Sequence, residues 1–532
     1  MYIINIFSTK GGHMIPKFVT KEEAVKIIKD NDTVVTSGFV GCGNPEGLEV
    51  ALENRFLETG SPQNLTLFYV AGQGAGDERC VSRFGHEKLL GKIIAGHFNK
   101  APKIGELITE NKIQAYNVPQ GALCQMLRDV AAHKPGVITK VGLKTFADPR
   151  IEGGKLNEVT TEDIVRIMEI DGEEVLYYKA MNFDIAFIKG TYSDEKGNIT
   201  LENEYVPTEV TSIAQAVHNC GGKVIVQVDK IVKGAFLDPK LVKVPGIYVD
   251  YVVEVTEPEL NRPAYDMHYE PEIAGNIRVS EKTFTEVMPL NEKKIIARRA
   301  TMELEKGSVA NLGIGAAEYV STIATEEGIN DYMVLTVESG PVGGIPQSGK
   351  RFGSSVNADA ILDQPYQFDF YDGGGLDICF LGLAQADQFG NLNVSKFGKK
   401  IAGCGGFINI SQNAKKVVFC GTFTAKGLKT KVEDGKLVIV NEGSTKKFVS
   451  HVQQITFSGE LARENNKPVL YITERAVFEL RKEGLTLIEI APGIDLQKDV
   501  LDQMEFKPLI AKDLKEMDKR IFQEKPMGLK ED

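Results

Sequence analysis

Short apolar runs alternate along this chain with segments of helical period, and the runs end in turns rich in Gly, Asn or Asp. IAFI at 185–188 and ICFL at 378–381 have no polar interruption, which is the pattern of strands buried on both faces of a parallel sheet. LTLFYV from Leu65 and VLTV from Val334 lead into the glycine-rich turns GQGAG and SGPVGG. Helices are expected over Glu22–Lys29, Asp163–Glu169, Lys293–Leu304 and Gln453–Asn465. The first has a capping box, Thr20 with Glu23 three residues on. Strands alternating with helices predict an open α/β architecture with mainly parallel sheets covered on both faces.

The pattern also repeats. Asp184 to Asp194 has the spacing of Asp377 to Asp387, and Gly197-Asn198 matches Gly390-Asn391. Upstream, each copy carries a helix, a β-branched strand and a glycine turn opening a helix, GCGNPEGLEVAL at Gly41 and GIGAAEYVSTIA at Gly313. Two related α/β domains are expected, at 14–255 and 292–525. The Pro-dotted stretch 256–291 (EPELNRPAYDMHYEPEIAGN and its flanks) is read as a linker. Residues 1–13 read as an extension, and the cleft between domains is the natural place for a site.

Composition narrows the function classes. A formal charge of -11 argues against a nucleic-acid partner. No run reaches the ~20 apolar residues of a membrane span. Seven scattered cysteines without a CxxC suggest reduced thiols and a cytoplasmic protein. No HExxH, HxH, GxSxG or GxxxxGK[ST] occurs, so metal, serine-nucleophile and nucleotide-triphosphate chemistry lack support. GCGNPEG and GIGAAE lack the third glycine of a dinucleotide fingerprint. Their glycines fit tight strand-to-helix packing as well as ligand binding. His86 and His97 are close enough to share an environment, although each is read as a satisfied structural histidine.

Glu338 differs from the other carboxylates. It follows the strand MVLTV and precedes Ser339-Gly340 and Gly343-Gly344, so an acid stands at a strand's carboxyl end beside low-bulk backbone. On these residues alone it serves as a nucleophile, pairs with an arginine or caps a helix.

Longer motifs decide among these. TVESGPVGG, DGGGLDICFLGL, GNLNVSKFG and IAGCGGFIN, with NVPQGALCQMLRD, HKPGVITKVGLKTFADPR, GTYSDEKGNIT and VPGIYVDYVV in the first half, together resemble the family I coenzyme A transferases. The resemblance is to the single-chain group that contains propionate CoA-transferase, and it runs from about Ile15 to Phe522. It implies an α-type half fused to a β-type half, with CoA as a substrate and no permanently bound cofactor or metal. It also implies a homo-oligomer acting on acyl-CoA and short-chain carboxylates (acetate, propionate, butyrate, lactate), with no nucleic-acid or membrane partner. Glu338 is then the nucleophile that becomes a glutamyl-CoA thioester, and Gln120 of NVPQG is an oxyanion donor. Gly313, Ile314, Gly315, Gly403, Gly405 and Gly406 line the CoA site, and Lys396 and Lys399 are candidates for its phosphates. A hydrolase of the same fold and a non-enzymatic ligand sensor are the alternatives.

Overall fold

A computed structural model describes residues 15–234, 237–265, 269–280 and 288–531. The extension expected at residues 1–13 lies outside these. Two large sheets carry the fold, and their centres are the same arrangement built twice. In the first half, parallel strands lie in the order Tyr251–Glu254, Lys223–Ile231, Ile185–Ser193, Thr33–Thr36, Leu65–Tyr69. In the second the order is Val469–Ile472, Lys416–Cys420, Ile378–Gly382, Ser308–Leu312, Met333–Thr336, again parallel. The uninterrupted apolar runs form the central strands and are buried on both faces.

The repeated aspartates explain why the pattern recurs. Asp184 Oδ2 accepts from the Thr33 amide at 2.8 Å, and Asp377 Oδ2 accepts from the Val309 amide at 2.9 Å. Each carboxylate thus fixes the start of its own strand against the start of the neighbouring one. At the far ends, Asp194 takes the amides of Lys196 and Asn198, while Asp387 takes those of Phe389 and Asn391. Gly197 and Gly390 both sit at positive φ, +79° and +78°, a conformation that suits glycine. Asn198 and Asn391 then accept the amides of Gly246 and Gly459 at 3.0 Å, tying each turn to the next segment.

The halves diverge at their edges. The first sheet continues through the parallel strands Leu90–Ala95 and Gln114–Asn117. The second adds antiparallel strands, Pro341–Val342 and Ala360–Ile361 on one side and Ala476–Arg481 and Gly484–Ile490 on the other.

Three expected helices are corrected. Asp163–Glu169 contains the start of a strand, Val165–Ile170, paired antiparallel with Glu173–Lys179. The turn between them is Asp171-Gly172, with both residues at positive φ. An Asp-Gly pair flanked by Val, Ile and Met is a hairpin signal that outweighs the short helical period. Of Gln453–Asn465, the helix is Gly459–Glu464, opened by Ser458, whose Oγ accepts from the Leu461 amide at 3.2 Å. The residues before it are held extended, because Gln453, Gln454 and Thr456 bond across to the 392–398 segment. Glu22–Lys29 is a single α-turn, Lys21–Ala24, with the expected capping box, followed by a 3₁₀ turn.

Candidate active site

The strand Met333–Thr336 is held where it ends. Asn311 Nδ2 donates to Thr336 O at 3.1 Å, and Tyr371 Oη donates to Thr336 Oγ1 at 2.9 Å. Beyond it the chain turns tightly, with the Gly340 amide donating to Val337 O and the Val337 amide to Pro341 O, both at 2.9 Å. The turn requires glycine at 340, where φ is +132° and a Cβ would stand 1.9 Å from Leu362 O. Ser339 Oγ bonds Gly353 O. Glu338 is thereby lifted off the end of the sheet into a cavity of about 420 Å³ between the two halves.

Opposite Glu338 a second-half loop, Gly403–Gly406, is docked into the first half. The Gly405 amide donates to Gly96 O at 2.7 Å, the Cys404 amide to Asn117 Oδ1 at 2.9 Å, and the Gln120 amide to Gly405 O at 3.1 Å. Gln120 opens the helix Gln120–Ala131. The loop's missing side chains make the space. A Cβ on Gly406 would lie 2.6 Å from Glu338 Oε2, and one on Gly405 would lie 3.5 Å from Gln120 Oε1. Two residues of one loop therefore face the carboxylate and the amide in turn.

Gln120 is 1% exposed, and its Nε2 has no hydrogen-bond partner among the described residues. Leaving a buried donor unpaired costs roughly 1–3 kcal/mol, which marks it as a group kept for something that enters the cavity. Glu338 is enclosed by protein while keeping some open surface toward the cavity. That enclosure pushes its carboxyl up to about 7, since burial penalises the charged form and no cation among the described residues pairs with it. The remaining walls are apolar near Glu338, with Phe39 and Phe352 in ring contact at 5.8 Å and Val337 beside them. A recessed carboxylate, a neutral donor and an apolar enclosure can together support acyl transfer.

A family model described as Coenzyme A transferase matches residues 18–255. The sequence is 48% identical to an acetate CoA-transferase, YdiF, of Escherichia coli K12 over 512 residues, 96% of each chain. It is also 48% identical to a caffeate CoA-transferase of Acetobacterium woodii over 518 residues, 96% of this chain and 98% of that one. This chain belongs to the coenzyme A transferase family. Among solved structures, the acyl-CoA transferase YdiF apoenzyme of E. coli O157:H7 matches with a TM-score of 0.92 and 47% identity, covering 97% of this chain and 98% of that one. The same enzyme captured as a thioester complex with CoA matches with a TM-score of 0.91.

Within this CoA-transferase, Gly313, Ile314, Gly315, Gly403, Gly405 and Gly406 line the cavity with Glu338 and Gln120. Lys396 and Lys399 do not. They sit on a short hairpin, Lys396–Phe397 with Lys400–Ile401, and are not among the residues that line the cavity. The lysine that does line it is Lys100, which follows the strand Leu90–Ala95 and carries no motif that would distinguish it in the sequence. The two histidines differ in their partners. His86 is satisfied, its Nε2 2.7 Å from Glu53 Oε1, whereas His97 lines the cavity and its ring nitrogens bond no described residue. His97 is thus not the satisfied histidine expected of it: the Leu90–Ala95 strand ends just before His97 and delivers it to the cavity.

Proposed function

We propose that this chain moves CoA between a short-chain acyl-CoA and a free carboxylate of the acetate, propionate, butyrate or lactate class, by a ping-pong reaction on Glu338. The observation that carries this reading is the pairing of a recessed carboxylate with a buried, unpartnered amide donor across a side-chain-free loop. Glu338 Oε attacks the thioester carbonyl carbon, and the C–S bond breaks as CoA leaves as thiolate, giving an acyl-glutamyl anhydride. The thiolate then attacks Glu338 Cδ, the anhydride C–O bond breaks, and the acid departs, leaving a glutamyl-CoA thioester. A second carboxylate runs the two steps in reverse, and no net proton is consumed. Holding the carboxylate in place makes each attack effectively intramolecular. Gln120 Nε2 stabilises an oxyanion without neutralising the nucleophile. The apolar walls keep water from the anhydride, which favours transfer over hydrolysis.

The domain plan, 14–255 and 292–525 with the linker 256–291, belongs to the same reading. It is supported by the confinement of one large sheet to Lys17–Glu254 and of the other to Ser308–Glu516. No helix among the described residues is long and apolar enough to cross a membrane. A cytoplasmic homo-oligomer completes the proposal.

The half-reaction tests it. Incubated with acetyl-CoA and no acceptor acid, the enzyme should gain the mass of CoA, and borohydride reduction followed by peptide mapping should place the modification at Glu338. Free CoA is measured in parallel, because its steady release without an acid identifies a hydrolase. An adduct on another carboxylate removes Glu338 from this role, and absence of adduct, hydrolysis and exchange together removes the reaction.

Burial sets the pH dependence. An ordinary glutamate near 4.3 is ionised throughout the neutral range, but Glu338 at about 7 is not. Since the carboxylate is the attacking form, kcat/KM for acyl-CoA should rise tenfold per pH unit below about 7 and level off above it. A profile flat from pH 5 to 8 would contradict that assignment. Gly406→Ala should lower kcat by roughly tenfold with the fold intact, because its methyl displaces the carboxylate tip, and full misplacement by about 1 Å costs on the order of 10²-fold.

A further inference from the structure

The proposed reaction makes two tetrahedral centres on two different carbons. Attack of Glu338 on the thioester places an oxyanion on the acyl carbon, whereas attack of the thiolate on the anhydride places one on Glu338 Cδ. A preorganised donor works when it lies about 2.7–3.1 Å from the oxygen that becomes charged. These oxygens occupy different positions, so a reaction with two such centres is best served by two fixed donors. Gln120 supplies one.

His97 is built as the other. Its backbone is clamped. Tyr69 Oη donates to His97 O at 3.0 Å, and Gly403 passes so close that a Cβ there would lie 2.7 Å from His97 Cα. Glycines clear the ring on two sides. A Cβ on Gly72 would stand 2.7 Å from His97 Nδ1, and one on Gly405 would stand 3.9 Å from His97 Cδ2, the ring carbon next to Nε2. The Gly405 position that looks toward His97 also looks toward Gln120 Oε1, and the next residue of the loop looks toward Glu338 Oε2. The ring is half-buried against the cavity, and neither of its nitrogens has a hydrogen-bond partner among the described residues.

We propose that His97 is a second catalytic donor, its ring N–H meeting the oxyanion on the acyl carbon while Gln120 meets the one on Glu338 Cδ. This rests on the Glu338 ping-pong reading. In the first step the carbonyl pair moves onto oxygen, accepts the His97 N–H as a hydrogen bond, and returns as the C–S bond breaks. The proton stays on the ring throughout. Burial and the nearby Lys100 ammonium hold His97 down to about 4. The ring is therefore neutral across the working range and, like Gln120, donates without adding charge beside Glu338.

The two donors can be separated on the enzyme-CoA thioester, formed with acetyl-CoA and freed of acid. Acetate converts it to acetyl-CoA through both oxyanions, whereas hydroxylamine attacks Glu338 Cδ and passes through that one alone. His97→Leu should slow acetyl-CoA formation by on the order of 10²-fold and leave discharge by hydroxylamine within about twofold of wild type. Gln120→Ala should slow both, and His97→Asn, which keeps an N–H, should recover part of the acetate reaction. Should His97→Leu not fold, His97→Ala is read by the same two discharges. Equal slowing of both by the His97 variants, as a packing role predicts, overturns the proposal, as does wild-type behaviour in both. Failure of wild-type enzyme to form any adduct removes the Glu338 reading and this inference with it, whereas an adduct on Glu338 with either negative His97 result removes this inference alone.

Discussion

Glu338→Gln is expected to lose at least about 10²-fold in CoA transfer, down to the limit of detection, while folding normally. The amide keeps the shape and volume of the side chain and removes the nucleophile, so neither an anhydride nor a thioester can form. Transfer retained above about one per cent of wild type, with deamidation excluded by mass, counts heavily against the assignment. The same variant carries a stability signature of opposite sign. The wild-type carboxyl is raised to about 7 in the folded chain, so from an unfolded value near 4.3 upward the unfolded state has released a proton that the native state still holds. Stability therefore falls as pH rises through that window, and the penalty is fully present above about 7. Glu338→Gln removes the penalty. It should be more stable than wild type at pH 8, by on the order of 1–3 kcal/mol, and equal to it near pH 4. Denaturant unfolding at the two pH values measures this. An inactive variant without the pH-dependent gain has lost activity for some reason other than removal of a recessed carboxylate.

Gln120→Ala is expected to lower kcat by about 10²- to 10³-fold with the dissociation constant of CoA unchanged within about twofold. The amide is buried and its Nε2 is unpartnered, so removing it breaks no described side-chain hydrogen bond from Nε2 in the resting protein. The backbone bond that seats the helix start, Gln120 N to Gly405 O, survives the substitution. The loss should therefore appear in kcat under single-turnover conditions and not in folding or in CoA binding. Full activity would take Gln120 out of the site, and a matching loss of CoA affinity would make it a binding residue instead.

Much of the fold was legible because its determinants are local. The runs IAFI and ICFL announce strands buried on both faces. The repeated Asp spacing announces two equivalent turns, in each of which the aspartate accepts two of the following amides and a glycine sits at positive φ. The misreadings were also local in origin. At 163–169 a short helical period competed with an Asp-Gly hairpin signal two residues on, and at 453–458 side-chain bonds to Ser395 and Gly398 override any helical tendency.

The site divides along the same line. Glu338 could be singled out because its setting, a strand end followed by glycines, lies within a few residues of itself, and long motifs in register named its chemistry. What the carboxylate faces could not be read that way. Gln120 and His97 belong to one half and Glu338 to the other, and they meet because Gly403–Gly406 reaches across the halves and hydrogen-bonds to Gly96, Asn117 and Gln120. Lys396 and Lys399 were named and Lys100, which lines the cavity, was not, because a charge in sequence carries no direction. Reaction class follows from the chain's own order of residues, through the long motifs it shares with a family, and the nucleophile proposed for it is the one that resemblance implies. The raised carboxyl, the unpartnered donors and the lysine that lines the cavity depend on desolvation and distance, and only the packing of the two halves sets those.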